Sequence, residues 1–367
     1  MSLSRARFLA LLGFSVLSFF ALTSLQAQGP ASKGENVRIP TVDGVELHGT
    51  LYASPKKGAP TVILLHALDT DNSQKKGWVS LAETLQPNFS VMAFDFRGHG
   101  KSTTLVDAPL FWANPTNAKG VKLNPKDKGT INFKDFAKTY YPVLINDIAA
   151  VKAYLDRRND AGVVNTASTF VIGAETGATL GAIWLNSEWH RYKLIPAQMF
   201  GFPPTQAPQP EGKEIIGAVW LSMSPTLGSR SVLLSGTLEI PCKQNATATV
   251  FIYGDQDTKG KDFAKAVEKS IKVKTSKQHD FIGGAEIKGT SLKGSGLLQK
   301  SLPTEAAIFD YLKNVTAERS NEPYEREFMK TQYVWRNPGT NVTVPARATS
   351  TDKNLVYQTY DKYLVTK

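Results

Sequence analysis

The chain has one cysteine in 367 residues, Cys242, so no intramolecular disulfide and no thiolate metal cluster can form. Lysines are spread from Lys33 to Lys367 without a repeated basic and aromatic interleaving, which argues against a nucleic-acid track. The formal net charge of +11 includes Arg5 and Arg7, and falls to +9 without them. Solubility and weak attraction to anionic surfaces or substrates account for that excess. No internal repeat is present. The histidines His48, His66, His99 and His190 lack matched ligand spacing, so neither a metal nor a cofactor is expected.

Long apolar runs are absent except at the N-terminus, where Arg5 and Arg7 precede a mostly apolar stretch from Phe8 to Leu22 and small, polar residues follow around Ala27. This is a signal-peptide pattern, too short in its apolar core for a spanning helix. Residues 1–27 are expected to be removed on export to a periplasm or the exterior. No integral membrane domain is expected after cleavage, and about 340 residues (367 less 27) remain for one large domain with an appendage.

Val37 to Ser54 reads as two strands joined through the turn pair Asp43-Gly44, and Thr61 to His66 and Phe89 to Phe96 are short apolar strands. A helical pattern follows from Phe136 to Arg158. Then come a strand ending at Gly173, a helix from about Ala178 to Ser187, and strands over Ile215–Met223 and Ala248–Gly254. IKVKTS, residues 271–276, is expected to be a late strand, and Pro303 opens a last helix. Continuously apolar strands alternating with helices indicate a mainly parallel α/β sheet covered on both faces. A polar insertion occupies about 103–134, and residues 316–367 form an extension expected to pack on the domain.

One further absence concerns chemistry. Gly173-Ala-Glu-Thr-Gly177 has the spacing of a G-x-S-x-G nucleophile elbow, but Glu175 stands at the serine position. Following STFVI and preceding a helix, the segment is specific for a strand-to-helix reversal whose glycines admit close backbone.

With HAL at His66–Leu68, DFRGHGKS at Asp95–Ser102, Asn146-Asp147, the GAETG elbow, FIYGDQD ending at Asp257, and QHDF containing His279, the chain resembles the α/β-hydrolase family. The secreted bacterial esterase and acyl-peptidase types are the nearest in pattern. The resemblance covers about Val37 to Val315 and implies an α/β-hydrolase fold with a mainly parallel central sheet. It implies a catalytic set of Glu175, Asp257 and His279, with Asp255 the competitor for the acid. Backbone N–H groups of Ala67, Leu68 and Thr176 are implied as oxyanion donors, and Trp112, Tyr140 and Tyr141 are candidate pocket residues for a small-molecule or acyl ligand.

A glutamate cannot be activated as serine is, because it is already ionised and has no proton for the histidine to take. Loss of conventional serine esterase activity is therefore the first expectation. Glu175 acting on a small ester, epoxide or haloalkane as nucleophile or water activator is the alternative, and a cell-envelope binding module on an inactive scaffold is another. With His279 as base, replacing Glu175 by serine is expected to restore weak esterase activity.

Overall fold

The computed structural model describes residues 34–69, 71–197, 204–244, 247–272, 281–327, 330–336 and 343–345. The N-terminal segment 1–27 and His279 lie outside them.

Among the described residues nine strands form the main sheet, of which the short Thr104–Leu105 pairs antiparallel with β2 at its edge and the other eight follow one order: β1 (Glu35–Pro40), β2 (Val45–Tyr52), β3 (Pro60–Leu65), β4 (Ser90–Phe94), β5 (Asn165–Ala174), β6 (Ile215–Leu221), β7 (Ala248–Gly254) and β8 (Ile282–Ile287). Their order is β1-β2-β4-β3-β5-β6-β7-β8, antiparallel at the first two pairings and parallel from β4 to β8. Strands β3 to β7 are buried along their whole length, as continuous apolar runs require when helices cover both faces.

Helices α1 (Lys76–Leu85) and α5 (Thr304–Arg319) cover one face, with Trp78, Leu81, Ile308 and Leu312 in its core. On the other lie α2 (Ile145–Asp160), α3 (Glu175–Glu188) and α4 (Thr258–Ile271), contributing Ile148, Val151, Trp184 and Val267. This strand order, with a sharp β5-to-α3 reversal, is the α/β-hydrolase fold.

Two sequence expectations change. The helical pattern from Phe136 begins as a tight 3-10 segment over Lys138–Leu144, with Pro142 inside it, and becomes α-helical only at Ile145. Pro142 has no backbone N–H to donate and so interrupts the α pattern. Among the described residues the last strand of the main sheet is Ile282–Ile287. Ile271 closes α4, and residues 273–276 lie outside the described set.

The insertion carries short helices at Ala108–Ala113 and Pro115–Gly120. From the C-terminal extension, the strand Gln332–Arg336 pairs antiparallel with Arg191–Ile195, which follows α3, and Thr205–Pro210 pairs on the other side. Arg326 anchors the same extension. Its fully buried guanidinium lies 2.5 Å from Glu214 and 3.2 Å from Asp156.

Candidate functional site

Glu175 is the first residue of α3, directly after Ala174 ends β5, and its φ is +46°. A left-handed conformation costs an L-residue about 1–2 kcal/mol and persists only where neighbours enforce it. The bracketing glycines show what enforces it. A Cβ on Gly177 would lie 2.1 Å from the His66 carbonyl oxygen, and one on Gly173 would lie 2.6 Å from Ala178 Cα. Neither position tolerates a side chain without moving backbone. The elbow is tied down further where Ser224 N–H and Thr179 Oγ1 donate to the Glu175 carbonyl at 3.2 and 3.3 Å.

The Glu175 carboxyl is half-buried, and its pKa is raised. Burial is the first cause, Asp69 and Asp71 add to it, and Lys293 opposes them. Lys293 and Gly294 lie on the loop after β8. A Cβ on Gly294, at φ +50°, would come within 2.5 Å of Glu175 Oε1, so the loop backbone runs directly against the carboxyl group. Lys293 Nζ pairs with Asp257 Oδ1 at 2.9 Å.

Asp257 itself is buried, follows β7, and caps α4 by accepting from Gly260 N–H at 3.2 Å. Asp255 faces another way and accepts from Thr290 N–H at 3.1 Å, where backbone donors hold its pKa down. Of the two acids, Asp257 is the one whose charge, with that of its partner Lys293, acts on the Glu175 carboxyl. The three groups brought together are therefore Glu175, Asp257 and Lys293. His279, the sequence candidate for the base, lies outside the described residues. Phe281, at the start of the chain's path into β8, accepts from Thr249 N–H at the end of β7 opposite Asp257.

Two of the backbone groups named as oxyanion donors are engaged by side chains. Leu68 N–H donates to Thr176 Oγ1 at 2.8 Å, and Ala67 N–H donates to Asp71 Oδ2 at 3.3 Å. The Thr176 hydroxyl thus takes the place at Leu68 N–H that a developing oxyanion needs. The sequence placed Thr176 in the site for its backbone and missed this side-chain role, which a hydroxyl beside the elbow residue could have signalled.

The aromatic candidates separate. Tyr140 is not a pocket residue: it is buried, its hydroxyl donates to Asn117 Oδ1 at 2.7 Å and accepts from Arg97 Nη1 at 2.9 Å. That hydroxyl completes a buried network in which Arg97 meets Asp43 and Asp147, each at 2.7 Å. Trp112 belongs to the insertion, packing edge-on against Phe111 and donating from Nε1 to the Lys128 carbonyl at 3.0 Å. Tyr141 is the one on the site side. It packs on Phe133, and its raised hydroxyl pKa owes first to burial and then to Asp69, the carboxylate that also acts on Glu175.

Among the remaining histidines, His66 and His99 order the surrounding loops. His66 Nδ1 donates to the Ala67 carbonyl at 2.7 Å and Nε2 accepts from Phe96 N–H at 3.0 Å. His99 stacks between His66 and Phe133, and burial, its largest cause, drives its pKa down to about 4. Both rings are neutral at pH 7. No group of three or more His, Cys, Asp or Glu side chains among the described residues is arranged to hold a metal. No helix among them is long and apolar enough to cross a membrane.

No family model matches the chain, and no curated protein matches it. Solved structures do. A dienelactone hydrolase from Anabaena variabilis is 11% identical over 80% of this chain and 100% of its own, with a TM-score of 0.48. A Pyrococcus furiosus esterase is 16% identical over 77% of this chain and 91% of its own, with a TM-score of 0.48. Est1E from Butyrivibrio proteoclasticus is 13% identical over 78% of this chain and 100% of its own, with a TM-score of 0.45.

Proposed function

We propose that this is an exported α/β-hydrolase-fold protein that holds a small-molecule or acyl ligand at Glu175 and does not carry out conventional serine ester hydrolysis. The observation that carries the reading is the trio at the site: a carboxylate at the elbow, with Lys293 against Asp257 at 2.9 Å where a triad needs a base. An ammonium donates three protons and accepts none, so a lysine in this ion pair cannot take a proton from a nucleophile or from water. Thr176 Oγ1 on Leu68 N–H supports the same conclusion, since it removes a transition-state donor.

The carboxylate-nucleophile reading draws on the half-buried Glu175 carboxyl held at the elbow. Attack on an alkyl carbon would break a carbon–halogen bond with release of halide, or an epoxide C–O bond with the alkoxide taking a proton from water. It would leave an ester at Glu175 that a water must then cleave to an alcohol and the free carboxylate. That second step needs a base, and among the described residues Lys293, paired with Asp257, does not supply one. A ligand held without turnover fits these groups better. Export is proposed from the positive, apolar and small-residue order of residues 1–27, and N-terminal sequencing of secreted protein should begin within a few residues of Gln28.

The test is a panel of short activated esters, epoxides and haloalkanes offered to the natural protein and to Glu175→Ala. No turnover above that of Glu175→Ala is expected. Turnover that disappears in Glu175→Ala, with a mass adduct on Glu175, would overturn the non-hydrolytic reading in favour of the nucleophile.

A further inference from the structure

A concentration of lysines lies beside the loop that carries Lys293. A cavity of about 530 Å³ opens between the start of α1 and the turn Gly294–Leu298, lined among others by Lys75, Lys76, Ser295, Gln299 and Lys300. No acidic residue lines it. Lys75 leans on Asp71, a buried carboxylate 3.3 Å away, whereas Lys76 and Lys300 have no carboxylate partner among the described residues. Glu305 borders the cavity beside Ser80, where the Ser80 and Thr84 hydroxyls donate to it at 3.3 and 3.1 Å.

From this geometry we infer that the cavity is a binding site for a phosphate-bearing ligand. Three ammonium groups around one concavity, only one of them paired, create a positive potential that a dianion answers better than a single carboxylate. Lysine serves as a point charge for phosphate, and the Ser295 hydroxyl adds a polar group on the same wall. The volume exceeds that of a bare phosphate and lies within the range of small-ligand pockets, so the ligand carries an organic part, for which Leu298, Gly77 and Gly296 form the apolar floor. α1 packs closely on the turn there: a Cβ on Gly77 would lie 2.9 Å from Leu298 Cβ.

The site is separate from Glu175, and the inference stands whether or not the elbow turns over a substrate. Its recognised chemistry is the phosphoryl group, which a soluble phosphate ester or an anionic lipid headgroup would present. The test titrates the full chain at fixed ionic strength with glycerol 3-phosphate, with acetate, and with vesicles of phosphatidylglycerol in phosphatidylcholine. Calorimetry serves for the small ions and co-sedimentation for the vesicles.

Saturable binding of the phosphate ester or of the vesicles is expected, weakened at least about tenfold in Lys76→Ala/Lys300→Ala and further in Lys300→Glu, with acetate at least about tenfold weaker than the ester. The arm that saturates identifies the source. These lysines are exposed, and unchanged thermal melting of the variants separates lost binding from lost folding. Binding untouched by the substitutions, acetate binding as well as phosphate, or no saturation in either arm would overturn the proposal.

Discussion

Replacing Arg326 by alanine should unfasten the C-terminal extension from the hydrolase domain. The guanidinium is fully buried, with Nη1 2.5 Å from Glu214 Oε2, and Nε donating to Thr166 Oγ1 at 2.8 Å and lying 3.2 Å from Asp156 Oδ1. Breaking a buried pair by removing one partner costs about 3–5 kcal/mol, because the other charge is left without compensation. Here part of the loss is covered. Lys152 remains 2.6 Å from Asp156 and 3.7 Å from Glu214, and the Thr166 hydroxyl still donates to Asp156. Glu214 loses more than Asp156 does, and the expected cost is about 2–4 kcal/mol. Urea unfolding followed by tryptophan fluorescence reads it, and limited proteolysis should cut within 320–331 before the domain unfolds. A cost below about 1 kcal/mol with unchanged proteolysis would refute the view that this buried charge cluster holds the extension in place.

Three other outcomes follow from the packing and the ionisation. Gly177→Ala should destabilise by about 1–3 kcal/mol or prevent folding, since its Cβ meets backbone oxygen at 2.1 Å; Gly162→Ala, with open space around it and φ +72°, should cost only about 1 kcal/mol in the same unfolding assay. Glu211 is buried beside Glu214, and burial first, then that neighbour, raises its pKa to about 7. Between its ordinary range and pH 7 the folded state therefore holds more protons than the unfolded state, so this group makes stability fall as pH rises through that window, by about 1–3 kcal/mol. Glu211→Gln should flatten the fall, and a pH series of urea midpoints that keeps its slope in the variant would contradict the assignment. His99, with its pKa near 4, acts with the opposite sign: stability is lost as pH falls from about 6.5 towards 4, and His99→Phe should remove that acid-side loss in the same series.

How much of this was legible in the sequence varies with the signal each residue carries. Buried parallel strands announce themselves by unbroken apolar runs such as TVILL and FVI, and the elbow by glycines that no other residue can replace between β5 and α3. The strand Ile282–Ile287 was not read from the sequence because IGGAEI carries a glycine pair that lowers strand propensity, whereas the expectation at IKVKTS falls mostly outside the described residues. Without that strand, the loop after β8, with Lys293 and Gly294, had no place in the sequence reading, and attention stayed on His279 before it. Tyr140 was a candidate for the pocket because an aromatic side chain with a polar tip suits either a ligand or a core. Only the three-dimensional meeting of Arg97, Asn117 and Tyr140 shows the hydroxyl spent on a buried network. Thr176 was legible as a position but not as a plug, since its bond to Leu68 N–H spans more than a hundred residues of chain.

The central claim is that Lys293, with Asp257, holds the third position of the site, and the most direct test is acyl-enzyme formation in Glu175→Ser compared with Glu175→Ser/Lys293→His. Burst kinetics on a small activated ester and mass spectrometry of the elbow peptide report whether the introduced serine is acylated. The account predicts no burst and no adduct in the single variant, whose serine faces an ammonium, and an adduct in the double variant, where an imidazole oriented by Asp257 can take the serine proton. Acylation and turnover in Glu175→Ser alone, abolished by adding His279→Ala, would contradict it and assign the base to His279.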